Sequence, residues 1–318
     1  MSDETIEKAF QVADPAHLNI SNLRGSINIQ PGEAHVIQVR AVKRGNFDSG
    51  RYTIEMTQDS DGSVRVETRS NETMFGFLSH PPKVEYTLQV PQGVQLYASG
   101  ISSSLKVSGL KGEFRLKTVS GEIDLADLSG PFKLNVVSGD ISGSRLTGTL
   151  ELQAVSGRVR LMESNFPNAD ASTVSGDLVL QTSLSDGPYH FSSVSGSVRM
   201  LVPADTHCNA ELSSVSGSIR SSLPATTTRI GHGSKVTKIQ GGGAEVRLKS
   251  VSGSLSFETE GVPAEAVSVT SDVPTPPTPP SPPVQTAAEP LSTPEILQRI
   301  ESGEMTVDEA IKLMKDQP

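Results

Sequence analysis

Phe114-Arg-Leu-Lys-Thr-Val119-Ser-Gly121-Glu-Ile-Asp-Leu125-Ala-Asp-Leu-Ser-Gly130-Pro-Phe132-Lys-Leu-Asn-Val-Val137-Ser-Gly139 decides the fold. Glycine recurs every nine residues at 121, 130, 139, 148 and 157, and Val-Ser-Gly recurs at twice that interval. Two nine-residue halves therefore make one 18-residue unit. Working outward, Val-Ser-Gly occurs eight times, with its glycine at 109, 121, 139, 157, 176, 196, 217 and 253. The first copy falls in the second half of its unit, so the partner of Gly121 one unit earlier is Gly100. The units are then 21, 18, 18, 19, 20 and 21 residues long. The final interval of 36 is expected to hide one degenerate unit around Gly231–Gly243.

Apolar residues ahead of each motif fall at Phe114/Leu116/Val119, Phe132/Leu134/Val137, Leu150/Leu152/Val155, Tyr189/Phe191/Val194, Ala210/Leu212/Val215 and Val246/Leu248/Val251. After it come pairs such as Ile123/Leu125 and Val159/Leu161. A period of two reads as strand with one apolar face, and glycine at each strand end suits a tight corner. Short strands in similar repeats, with no helical segment between them, predict an all-β parallel solenoid of about 18–21 residues per turn, its rungs about 4.8 Å apart. In that arrangement Val119, Val137, Val155, Val174, Val194 and Val215 form an inward column. Ser120, Ser138, Ser156, Ser175, Ser195 and Ser216 form a hydroxyl ladder beside it. Antiparallel nine-residue hairpins compete, but the Asn-Gly or Asp-Gly turns they favour are missing from the corners. Residues 1–16 read as an N-terminal segment, 17–98 as irregular first turns and a cap, and 99–261 as the regular repeats.

Composition supports this picture. Apolar side chains make up 35% and aromatics only 4%, with no Trp, so the core must come from Val, Ile and Leu. A single cysteine, Cys208, excludes a disulfide framework and a cysteine-based metal site. Net charge is −9, and residues 262–318 hold nine acids against three bases, which argues against nucleic acid as a partner. No basic-then-apolar leader opens the chain and no run of 18 apolar residues occurs. A cytoplasmic protein without a transmembrane segment is expected, with peripheral membrane contact left open.

Beyond the repeats, nine prolines lie between Pro274 and Pro294. Residues 262–291 read as a disordered polyproline spacer. Helical signals follow. Ser292-Thr-Pro-Glu295 and Thr306-Val-Asp-Glu309 are capping boxes, and Gly303 supplies a stop between them. The predicted hairpin over 292–318 is too small to be stable alone, so its apolar face needs a partner. That face comprises Ile296, Leu297, Ile300, Ile311, Leu313 and Met314. Another copy, the solenoid or a different protein would serve.

Val84-Glu-Tyr-Thr-Leu-Gln-Val-Pro91-Gln-Gly-Val94-Gln-Leu96, followed in register by the Val-Ser-Gly repeats, resembles the bacterial putative-adhesin family of β-strand-repeat domains of unknown function. The resemblance covers roughly residues 17–258. The tail from Ile296 to Met314 resembles the SHOCT-like helical motif that accompanies this domain in some bacterial envelope-stress proteins. Together they imply a right-handed β-solenoid, no established catalysis, and a role in assembly or cell-envelope response.

The residues themselves offer little chemistry. Six histidines are scattered without metal-ligand spacing. His207 and Cys208 are neighbours and should face opposite sides of a strand. No serine sits in Gly-x-Ser-x-Gly. Glu122, Asp124 and Asp140 should share an outward face, with Arg158 and Arg160 one turn on to neutralise them. Within Asn71–Pro82, Met74, Phe75, Phe77 and Leu78 form either a cap or a contact loop. The expectation is a non-enzymatic scaffold with no cofactor, no metal site and no catalytic residues, acting through its C-terminal helices on a protein partner or on itself. A carbohydrate-active solenoid enzyme and a self-polymerising solenoid are the alternatives.

Overall fold

The computed structural model describes residues 4–44, 51–71, 81–185, 187–230, 234–260, 265–266 and 269–273. The expected contact loop (Met74, Phe75, Phe77, Leu78), the spacer beyond Val273, and the tail with Ile296, Leu297, Ile300, Ile311, Leu313 and Met314 lie outside these residues. Among the described residues there are twenty-five strands and no helix; none of them forms a helix long and apolar enough to cross a membrane.

Each regular turn contributes two strands to two parallel ladders. In the first, Phe132–Ser138, Leu150–Ser156, Ala169–Ser175 and Tyr189–Ser195 pair with Phe132, Leu150, Ala169 and Tyr189 on successive rungs. In the second, Ile123, Ile141, Val159, Leu178 and Val198 occupy successive rungs. Alternation turns every other side chain inward, and the inward residues of both ladders merge into one apolar cluster. Three of its aromatics meet: Phe114 stacks on Phe132 at 5.3 Å between centroids, and Phe166 meets Phe132 edge-on at 6.1 Å.

The corners are where glycine is required. Gly157 has φ +123°, and a Cβ there would stand 2.0 Å from the Gly139 carbonyl oxygen one turn below. Gly130, at the opposite corner, has φ +138°, with the Gly112 oxygen 1.8 Å from any Cβ. Backbone thus stacks on backbone at both edges of the wall.

The valines of Val-Ser-Gly are not the inward column. Period two continues from Leu116 to Thr118, so Val119, three residues beyond Leu116, faces out. The buried column is Thr118, Val136, Ala154, Thr173, Ser193, Ser250 and Ser214, all small or β-branched where the two ladders converge. The hydroxyls of Thr118, Thr173, Ser193, Ser250 and Ser214 have no hydrogen-bond partner among the described residues. Val194, Val215 and Val251 are 44–51% exposed. The neighbouring serines do stack in register, with Ser120, Ser138, Ser156, Ser175 and Ser195 on successive rungs.

Layer order also departs from chain order. Tyr189–Ser195 pairs with Ala244–Ser250, which in turn pairs with Cys208–Ser214. Val198–Val202 and Ile219–Ser221 likewise sandwich Leu255–Thr259. The chain therefore skips a layer and returns to fill it. Among the described residues of the 36-residue interval there is no degenerate turn. Thr226–Ile230 and Ser234–Gln240 instead pair antiparallel, and the latter runs antiparallel to Cys208–Ser214. Gly241-Gly242-Gly243 makes this possible by crossing over the start of that strand: the Gly241 N–H donates to the Cys208 carbonyl at 2.9 Å. A Cβ on Gly243 would meet the His207 oxygen at 2.5 Å.

At the N-terminal end, Ala16–Pro31 pairs in parallel with Gly93–Ser108 on one side, and with Val64–Ser70 and Lys83–Val90 on the other. Antiparallel strands Val36–Arg44, Glu4–Gln11 and Tyr52–Gln58 close that end. At the other end, Val269–Val273 pairs with Thr226–Ile230, so strand structure extends past Gly261 into residues read from the sequence as spacer.

Candidate interaction surface

The outward valines are one rung apart and continue at both ends. From the cap they run Leu23, Ile101, Val119, Val137, Val155, Val174, Val194, Val251, Val215, as the registers of their neighbours fix. The sequence pattern singles out the valines but puts them inside, and does not single out Leu23 or Ile101; the three-residue step from Leu116 to Val119 is the signal of the outward phase. Exposure along the column is uneven. Ile101, Val194, Val251 and Val215 are about half exposed, whereas Val137 and Val155 are fully buried yet lie apart from the core cluster. Beside the column the outer wall carries a shallow groove of about 810 Å³ that includes Tyr97, Arg115, Lys133, Glu151, Asp170 and His190. Lys133 donates to Glu151 at 2.7 Å across one rung.

Two of the three acidic residues singled out for chemistry, Asp124 and Asp140, are engaged otherwise. Asp140 accepts from the Arg158 backbone N–H at 2.8 Å and from its guanidinium at 3.3 Å. Asp124 accepts from the Ser142 hydroxyl. A parallel ladder that sequence reasoning missed joins Asp127, Arg145 and Glu163, which share a left-handed backbone at φ +56°, +52° and +50°. Arg145 grips Asp127 with two hydrogen bonds of 2.6 and 2.9 Å, and these hold the Asp127 carboxyl below the usual carboxylate range. Among the described residues no three His, Cys, Asp or Glu side chains gather as metal ligands.

His207 is exposed and Cys208 buried, so the adjacent pair does face opposite ways. Burial pushes the Cys208 thiol up to about 11, which leaves it protonated and unreactive near neutrality. At pH 8 a thiol reagent such as dithionitrobenzoate is expected to find no reactive thiol in the native protein, and one per chain in denaturant. Rapid native labelling would contradict the buried placement.

The Toastrack DUF4097 family model matches residues 16–258. Several solved structures are similar at low identity. One, described as a putative adhesin from Parabacteroides distasonis, is 14% identical, with a TM-score of 0.43 and coverage of 80% of this chain and 97% of that one. Another, a putative adhesin from Bacteroides fragilis, is 10% identical, with a TM-score of 0.35 and coverage of 80% and 97%. A third, described as a putative lipid binding protein from Parabacteroides distasonis, is 13% identical, with a TM-score of 0.36 and coverage of 81% and 96%. Among curated proteins nothing matches.

Proposed function

The chain belongs to the Toastrack DUF4097 family, and from that premise we propose that it is a non-enzymatic interaction scaffold, adhesin-like in fold and serving a bacterial cell-envelope response from the cytoplasm. The observation that carries the proposal is the outward apolar column. A wall whose inner face already completes a core does not need a second apolar stripe for stability, and such stripes mark contact surfaces. The C-terminal SHOCT-like hairpin at 292–318 is the matching association element, offering Ile296, Leu297, Ile300, Ile311, Leu313 and Met314 to a protein partner or a second copy. The proline-rich spacer then sets its reach and effective concentration.

The competing enzyme reading depends on Glu122, Asp124 and Asp140. Incubating the full chain with cell-wall and capsular polysaccharides is expected to release no reducing ends. Release that disappears in the Glu122→Gln, Asp124→Asn and Asp140→Asn variants would overturn the scaffold proposal.

A further inference from the structure

We propose that the outer face of the second ladder binds a linear acidic polysaccharide through Arg160, Arg199 and Arg220. The site is separate from the apolar column and does not depend on it. Each arginine follows the first, buried residue of its strand (Val159, Val198 or Ile219), so alternation turns all three outward, and all three are exposed. Register fixes their order: Arg160 lies beside Val179, Val179 beside Arg199, Arg199 beside Ser256, and Ser256 beside Arg220. One arginine therefore stands on every second rung, about 9.6 Å from the next at about 4.8 Å per rung. The layer filled out of chain order keeps this period. Without Leu255–Thr259 between them, Val198–Val202 and Ile219–Ser221 would bring Arg199 and Arg220 onto adjacent rungs.

The protein does not neutralise this row itself. Among the described residues Arg160 and Arg220 make no hydrogen bond or ion pair. Arg199 meets Glu258 through Nε at 3.5 Å, and its side chain stays 55% exposed. Arg160 leaves Asp124 alone, because Ser142 occupies the rung between them and its hydroxyl donates to that carboxylate. Asp177, at the corner of the Val179 rung, accepts the Ser197 backbone N–H at 3.1 Å. The outer face of the first ladder is the contrast. There Arg115, Lys133, Lys238 and Arg247 pair with Glu113, Glu151, Glu211 and Glu245. Guanidinium groups left open in a row, on a chain of net charge −9, call for an anion from outside.

Spacing and surroundings select its class. In an extended 1,4-linked glycan each sugar advances by about one rung and is turned over relative to the last. Carboxylates on one side then recur every second sugar, which is the period of the arginines. An extended peptide repeats on one side about every 6.7 Å, and a helix about every 5.4 Å. A polyproline II peptide comes closer, at about 9.3 Å, but is read by aromatic-lined grooves. Single-stranded nucleic acid likewise stacks on aromatic side chains. Among the described residues no aromatic faces outward on the five strands of this row. Exposed Ser197, Ser254 and Ser218, each two residues before the outward residue of its rung, offer hydroxyls to a sugar chain instead. The Ser218 hydroxyl already donates to that of Ser254 at 2.9 Å.

Calorimetric titration of the full chain with a hexamer of β-1,4-linked mannuronate, long enough to cover the row, tests the proposal. Binding is expected, and it should weaken as salt is raised. The Arg160→Gln/Arg220→Gln double variant should bind at least about 10-fold more weakly, since two charge-assisted contacts are lost. Both side chains are exposed and unpaired, so the fold survives their loss. Arg247→Gln, on the first ladder, should bind like the unaltered chain. Cellohexaose has the same linkage without carboxylates and should not bind. Hexaglutamate carries six carboxylates at another spacing and should bind at least about 10-fold more weakly than the mannuronate hexamer. Failure of the mannuronate hexamer to bind would overturn the proposal. So would equal binding of cellohexaose or hexaglutamate, or binding that survives in the double variant.

Discussion

Gly157→Ala is expected to lower the melting temperature by roughly 10 °C. The new methyl would stand 2.0 Å from the Gly139 carbonyl oxygen, with a backbone at φ +123° that L residues avoid. Relief requires opening the rung spacing at that corner, which breaks the hydrogen bond from the Gly139 N–H to the Ser156 carbonyl at 3.2 Å. Strain and lost pairing together cost about 3 kcal/mol, and a domain of this size loses about 2–4 °C per kcal/mol. Gly62→Ala separates the causes: Gly62 also has a positive φ, +84°, but nothing lies within 4 Å of its Cβ position. Only the backbone penalty applies there, about 1 kcal/mol. Equal losses at the two sites would show that close stacking of the corners is not what holds the turns together.

Phe132→Ala should be comparably damaging, at about 3–5 kcal/mol. Phe132 is 2% exposed and touches the other two aromatics of its cluster, the stacked Phe114 and the edge-on Phe166. The neighbouring turns cannot close the void, because their heights are fixed by the ladder on either side. Phe132→Leu keeps most of the volume and should cost less than half as much. Urea unfolding followed by far-ultraviolet circular dichroism measures both, since the chain lacks Trp. A loss below about 1 kcal/mol for the alanine variant would mean that this cluster is not a structural centre.

The solenoid was legible because its two signals are local: glycine every nine residues, and alternation between glycines. What those signals could not fix was phase at the corner. Val119 looks like the natural continuation of Phe114 and Leu116, and only strict counting from Leu116 puts Thr118 inside and Val119 outside. Layer order was illegible for a related reason. Val251-Ser252-Gly253 carries the same motif as Val194-Ser195-Gly196 and Val215-Ser216-Gly217, so nothing in its residues says that it stacks between them. Gly241-Gly242-Gly243 was the visible hint that the chain doubles back. For the candidate surface, the sequence supplied the valines of the column, while their outward placement and their continuation through Ile101 and Leu23 needed the register of the ladders.

The layer filled out of turn has a consequence for how the molecule is made. Until residues 244–259 have been synthesised, Tyr189–Ser195 and Cys208–Ser214 each present an unpaired edge across an unfilled gap. Pairings of high sequence separation form slowly, and open strand edges invite pairing with other chains. The nascent protein can therefore wind its first turns as they emerge, but its last third can close only as a unit, once the late-arriving rung slides between two earlier ones. Cleavage or premature termination before Ala244 would leave a chain with a well-formed body and an adhesive end.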